Sequence, residues 1–140
     1  MVKVYSCMIR DIRRRESGMS IHESGENYLE TILTESRRLG RVRAVDICAA
    51  LGFSKPTVSI AMKKLREDGF VTADESGFLY LTDTGLDIAE RIFDRHNTLA
   101  EILMELGVSR ETAYADACKI EHDISDESFE LIKKHLTDGK

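Results

Sequence analysis

Residues 44–65 read Ala44-Val-Asp-Ile-Cys-Ala-Ala-Leu51-Gly52-Phe-Ser54-Lys-Pro56-Thr-Val58-Ser-Ile-Ala-Met62-Lys-Lys-Leu65. A short helix is predicted over Ala44–Leu51, with Val45, Cys48 and Leu51 near one stripe, and Gly52 breaks it. Ser54 is placed to cap the next helix, and Pro56 falls in its first turn, where a missing N–H costs nothing. Val58, Met62 and Leu65 recur at i, i+4 and i+7, so one face of this helix is buried. The opposite face then presents Lys55, Thr57, Ser59, Lys63 and Lys64, and Gly69 ends the helix.

Outward from this pair, Glu26–Leu39 has an amphipathic pattern, with Leu29, Ile32 and Leu33 on one side and Gly40 as the stop. After Gly69 come two β-prone runs, Phe70–Ala73 and Phe78–Leu81, joined by Asp74-Glu75-Ser76-Gly77, a hairpin signal. Thr82 caps a long helix whose apolar stripe runs through Leu86, Ala89, Ile92, Phe93, Leu99, Leu103 and Leu106 to Gly107. Ser109 and Ser125 cap two further helices, about 110–122 and 126–136, each with acidic residues near the start that suit the helix dipole.

Helix, short helix, tight turn, third helix and hairpin is the order of a winged helix-turn-helix with a small two-stranded wing. The third helix opens with Ser54, Pro56, Thr57 and Ser59, small enough to let its N-terminus approach base edges, and ends with Lys63 and Lys64, suited to phosphates. Lys55 and Arg43 extend that DNA-binding face, and Arg37, Arg38 and Arg41 flank it. The wing tip, Asp74-Glu75, is acidic and so weakens any phosphate grip there.

The net charge of −5 hides an asymmetry: residues 1–70 carry 13 Lys/Arg against 9 Asp/Glu, and residues 71–140 carry 7 against 16. The front half can meet a polyanion and the rear half can hold cations. A length of 140 residues excludes a multidomain enzyme, and no apolar run is long enough for a bilayer span, so no membrane role is expected. Three widely spaced cysteines, Cys7, Cys48 and Cys118, without a CxxC pair, point to a reduced interior, the cytoplasm.

Within the acidic half, Cys118, Glu121 and His122 fall at i, i+3 and i+4 on one helical face. Thiolate, carboxylate and imidazole are the donors of a divalent transition-metal site. On this helix alone the reading stays open, because Cys118 can equally pack as a small apolar residue while Glu121 and His122 form a surface pair. Further donors are His96, which interrupts the apolar stripe of the long helix, and Asn27 and Glu30, one turn apart in the first helix.

Taken together, the segments Glu26-Asn-Tyr-Leu-Glu30, Asp46–Leu51 with Ser54–Ser59, Leu81-Thr-Asp-Thr-Gly85, Arg95-His96 and Asp116–Ser125 resemble the diphtheria-toxin-repressor family of metal-dependent transcriptional repressors, in its short, manganese-transport-regulator-like form. The likeness runs from about Ile21 to Leu136. It implies a mostly α homodimer: an N-terminal extension (1–20), a winged helix-turn-helix (21–85), and a helical dimerisation and metal-binding domain (86–140), without a further SH3-like domain. The implied ligands are Glu30, His96, Cys118, Glu121 and His122, with Asn27 where the family usually has Asp or Met. Cys118 stands where the manganese branch has Glu and the iron branch Cys, so Fe²⁺ is expected first and Mn²⁺ next, with Zn²⁺, Co²⁺ or Ni²⁺ admissible. Tyr114 occupies an expected His position, which leaves a second, iron-type site incomplete.

The expected function is repression with metal as corepressor, on double-stranded operator DNA that controls metal uptake, with no small organic substrate. Three other readings stand beside it: a winged-helix regulator triggered by a small molecule or by oxidation of Cys118, a metalloenzyme on Cys118, Glu121 and His122, and a metal-buffering or dimer-interaction protein, which leaves the basic helix-turn-helix unexplained. The enzyme reading lacks a Gly-rich phosphate loop and a separate acid–base pair. Residues 1–18 fall outside the resemblance; they are either a basic arm or a leader before an alternative start at Met19. His22 and His135 are read as surface residues.

Overall fold

The computed structural model describes residues 21–139, with side chains from Gly25 onward except that of His122. The N-terminal extension and the side chains of His22 and His122 lie outside the described residues. The elements in chain order are α1 (Ile21–Leu39), β1 (Val42–Arg43), α2 (Ala44–Leu51), α3 (Lys55–Glu67), β2 (Val71–Ala73), β3 (Phe78–Leu81), α4 (Asp83–Glu105), α5 (Arg110–Asp123) and α6 (Asp126–Asp138). The chain is therefore mostly α with one small antiparallel sheet, as expected.

Two boundaries differ from the sequence reading. Helix α1 begins five residues before Glu26, running through Gly25, a residue that lowers helix propensity. Tertiary packing overrides that propensity, since Gly25 lies against the recognition helix, where an added Cβ would sit 3.5 Å from Leu65. The sheet has three strands in the order β1-β3-β2, with β1 adding Val42↔Leu79 and Arg43↔Phe78 to the expected hairpin. A two-residue strand is too short to show alternation, so it leaves no pattern to read.

Gly52 ends α2 in the left-handed conformation (φ 71°, ψ 26°), and its N–H donates to the Cys48 carbonyl. Ser54 then caps α3 by accepting from the Thr57 amide, with Pro56 in the first turn. Val58, Met62 and Leu65 are buried as the spacing predicts. Val45 is not: it is 53% exposed, and α2 instead buries Ile47 and Leu51, four residues apart. Leu106 also leaves the expected stripe at 77% exposure, because α4 ends at Glu105 and the chain turns away at Gly107.

Helix α4 joins two cores. Its first half packs Ala89 into a core built by α1, α2, α3 and the sheet around Leu29, Ile47, Val58 and Leu79. Its second half contributes Leu99 and Ala100 to a smaller core with Ala113, Ala117 and Phe129 of α5 and α6. Each large apolar side chain removed from water contributes roughly 1.5–3 kcal/mol. The junction of wing and α4 is pinned by Thr82: its amide donates to the Phe70 carbonyl (3.0 Å) and its hydroxyl to the Gly69 carbonyl (2.8 Å). Gly85 permits this approach, since a Cβ there would lie 2.1 Å from the Phe70 carbonyl oxygen.

Candidate functional site

The buried faces of α1, α4 and α5 meet where the two cores adjoin. Asn27 and Glu30 on α1, His96 on α4, and Cys118 and Glu121 on α5 are all buried. Glu30 Oε1 lies 2.8 Å from His96 Nδ1, and Glu121 Oε2 lies 3.6 Å from His96 Nε2. The imidazole thus bridges carboxylates from two other helices. Burial on its own would lower the His96 pKa, but the Glu30 charge and the hydrogen bonds with Glu121 and Glu30 outweigh it and raise the value to about 10. His96 therefore carries a proton at neutral pH.

Among the described residues, Asn27 Oδ1 and Glu30 Oε2 find no hydrogen-bond donor although buried. Orphaned buried acceptors are costly, and those that persist call for a ligand, an ion or a water. Oxygen, imidazole and thiol side chains of this kind are donors that a divalent transition metal can take, and of the five buried residues the structure brings Glu30 and Glu121 into contact with His96. Cys118 sits in the main core one turn before Glu121 and, like Cys48, is in no disulfide. Among the described residues, no three His, Cys, Asp or Glu side chains are drawn together tightly enough to form a complete cage. Glu121 is buried, so the surface pair with His122 left open by the sequence does not hold for Glu121. Tyr114 donates its hydroxyl to Asn97 Oδ1 at 3.2 Å, beside the donor cluster rather than in it.

The candidate nucleic-acid interface lies on the exposed face of α3, whose buried face packs in the same core as Tyr28, Leu29 and Ile32 of α1. Ser54, Lys55, Pro56, Ser59, Lys63 and Lys64 are exposed on α3, Thr57 is half-buried, and Arg43 is exposed beside them. The Ser54 and Thr57 hydroxyls lie 2.9 Å apart and so partly satisfy one another. Sequence reasoning missed Ile60, which is 71% exposed at i+4 from Pro56 and i−4 from Lys64. An exposed β-branched residue on such a face is suited to a thymine methyl. Its signal was available, since it falls off the Val58–Met62–Leu65 stripe.

The flanking arginines divide into two groups. Arg41 and Arg43 stack on Phe78 at 4.4 and 4.3 Å and project from the wing edge. Arg37 pairs with Glu90 and Arg38 with the buried Glu35, which leaves them less of their charge for a polyanion. At the wing tip, Asp74 accepts from the Ser76 and Phe78 amides and from the Tyr80 hydroxyl. Desolvation, the largest single influence on Asp74, raises its pKa, yet the Phe78, Tyr80 and Ser76 donors together with Arg41 outweigh it and bring the value below the ordinary one. The acidic tip is thus a turn-forming device.

A winged helix-turn-helix joined through a long helix to a helical second region, with buried polar residues of α1, α4 and α5 between them, is the architecture of a DNA-binding regulator. Residues 20–77 match the N-terminal DNA-binding domain of the iron dependent repressors, and residues 82–140 match the metal binding and dimerisation domain of the same family. The chain belongs to this family of metal-dependent transcriptional repressors, the diphtheria-toxin-repressor group, whose members are not enzymes.

It is similar to the transcriptional regulator MntR of Escherichia coli O6:H1, with 34% identity over 108 residues, 77% of this chain and 70% of MntR. An uncharacterised HTH-type transcriptional regulator of Methanocaldococcus jannaschii is also 34% identical, over 79% of this chain and 90% of its own. Among solved structures, a manganese-dependent transcriptional repressor in complex with manganese superposes with a TM-score of 0.72 at 30% identity, covering 81% of this chain and 52% of that one. The IdeR structure from T. acidophilum gives 0.70 at 26%, over 80% and 53%. The chain thus spans about half the length of these solved structures. No helix among the described residues is long and apolar enough to cross a membrane.

Proposed function

We propose that a divalent transition metal, held by Asn27, Glu30, His96, Cys118, Glu121 and His122, is the corepressor that lets a homodimer of this chain bind double-stranded operator DNA in the cytoplasm and control metal uptake. The observation that carries this reading is the pair of orphaned buried acceptors, Asn27 Oδ1 and Glu30 Oε2, beside the His96–Glu121 contact. When bound, the ion supplies positive charge and coordination bonds among helices. The buried thiol of Cys118 supports Fe²⁺ ahead of Mn²⁺, with Zn²⁺, Co²⁺ and Ni²⁺ behind, whereas relatives carrying manganese in their names support Mn²⁺.

The chain's own residues do the coupling. Tyr28, Leu29, Ile32 and Leu33 of α1 pack in the same core as Val58, Met62 and Leu65 of α3, while Asn27 and Glu30 of α1 meet α4 and α5. Fixing α1 against α4 and α5 thereby fixes the reading face relative to the dimer scaffold. Two such faces must enter major grooves about 34 Å apart, so a stiffened junction favours binding. By linkage, DNA tightens metal binding by the factor with which metal tightens DNA binding.

The experiment selects binding sequences from a random duplex pool in the presence of Fe²⁺ (anaerobically) or Mn²⁺. Affinity for the selected duplex is then measured with metal and with chelator. Tight binding that requires metal is expected, and equal affinity in the two conditions overturns the corepressor model.

A further inference from the structure

Arg95 is the residue before His96 on α4, and its side chain is only 9% exposed. Its guanidinium reaches three backbone or side-chain acceptors at the junction of α5 and α6. Nη2 donates to the Ile124 carbonyl at 3.0 Å and more weakly to the Glu121 carbonyl at 3.4 Å. Nη1 donates to Asp126 Oδ1 at 2.7 Å. Nε lies 3.9 Å from Glu121 Oε1, and the guanidinium carbon lies 4.9 Å over the Phe129 ring.

The last carbonyls of a helix lack intrahelical donors and carry the negative end of its dipole. Helix α5 does not close on a left-handed glycine; Ile124 is extended (φ −101°, ψ 141°) and leads straight into the Ser125 cap of α6. Arg95 therefore caps α5 from a neighbouring helix. Its planar fork can serve several acceptors at once, which a lysine ammonium on a flexible stem cannot do in one geometry.

We infer that Arg95 is a positioning residue for the metal site: by holding the C-terminal turn of α5 on α4, it sets the Glu121 carboxylate beside His96. The inference rests on the metal reading above. It adds a residue that touches no ion, and that acts on affinity through Glu121.

The test is a double-mutant cycle in the full-length protein, with Mn²⁺ affinity read by competition against a fluorescent chelator. Arg95→Lys is expected to lower Mn²⁺ affinity about tenfold, as removing the support behind a ligand does. In the Glu121→Ala background the same change is expected to cost less than about twofold, because neighbours acting through one group are not additive. Equal losses in both backgrounds overturn the inference while leaving the metal site intact. No loss from Glu121→Ala alone overturns the metal assignment of Glu121, and this inference with it. Should Arg95→Lys fail to fold cooperatively, Asp126→Asn decides, since Asp126 is 86% exposed and its removal spares the core. About two- to fivefold lower Mn²⁺ affinity, the range of an exposed ion pair, and only in the presence of Glu121, is expected. An unchanged affinity, or an equal loss without Glu121, overturns the inference.

Discussion

Glu30 Oε1 and His96 Nδ1, 66 positions apart in sequence, lie 2.8 Å apart with both side chains sealed from solvent. This pairing ties α1 to α4 at the level where Glu121 approaches from α5. Against the cost of burial, the carboxylates of Glu30 and Glu121 favour the protonated form of His96 and raise its pKa to about 10.

That proton has a measurable signature. The folded-state pKa of His96 is raised from 6.5 to about 10, so its contribution to metal-free stability is complete below pH 6.5 and is lost as pH rises towards 10. One such proton gives a slope of about 1.4 kcal/mol per pH unit within that window. Denaturant unfolding in chelator across this range should show the decline, and His96→Gln should abolish it. A parent protein whose stability stays flat would show that His96 is not charged.

Glu30→Gln keeps the shape of the side chain and removes its charge. Since outer-sphere changes alone cost metal sites about 10–100-fold, loss of this carboxylate should weaken Mn²⁺ or Fe²⁺ binding by at least about 100-fold. Far-ultraviolet circular dichroism should remain that of a folded helical protein. Chelator competition giving an affinity close to the parent's would remove Glu30 from the ligand set.

Lys63 and Lys64 are solvated at the end of α3. Replacing either by Ala should weaken binding almost uniformly across DNA sequences and reduce the salt slope of log K by about 1 for each phosphate that is no longer neutralised. Ile60→Ala, at an exposed position, should change stability by no more than about 0.5 kcal/mol. Its effect on DNA should depend on sequence, visible as a change at a thymine in the selected duplex.

Gly85→Ala directs a methyl group at the Phe70 carbonyl oxygen, 2.1 Å from the ideal Cβ, and backbone cannot swing aside as a flexible side chain would. Overpacking of this kind costs about 1–3 kcal/mol. The thermal midpoint should fall, and DNA affinity should fall with it because the same close approach seats the wing. A variant with the parent's midpoint would mean that the wing–α4 junction is looser than Thr82 and Gly85 indicate.

Much of the architecture was legible because local signals agreed with tertiary ones. Gly52, Ser54 and Pro56 each act within one turn of their own position, and Val58, Met62 and Leu65 repeat with the helical period. The polar junction was legible only in part. Cys118 and Glu121 share a helix face, so their spacing announces them, but Glu30 and His96 meet through packing that no local spacing encodes. The contacts of Arg95, quoted in the sequence only beside His96, were not legible for the same reason: its acceptors are two main-chain carbonyls and an Asp 31 positions away. The misplaced apolar residues, Val45 and Leu106, sit at helix ends, where a stripe runs out of neighbours before the periodic pattern stops.

From Asn27 to Glu35, every residue of α1 is buried, and the segment mixes apolar with polar side chains. A substitution at these positions disturbs the core beneath α3, the junction with α4, or both. The segment works as a shared axle: a change at Glu30 reaches His96 on α4, and a change at Leu29 or Ile32 reaches the core on which α3 rests.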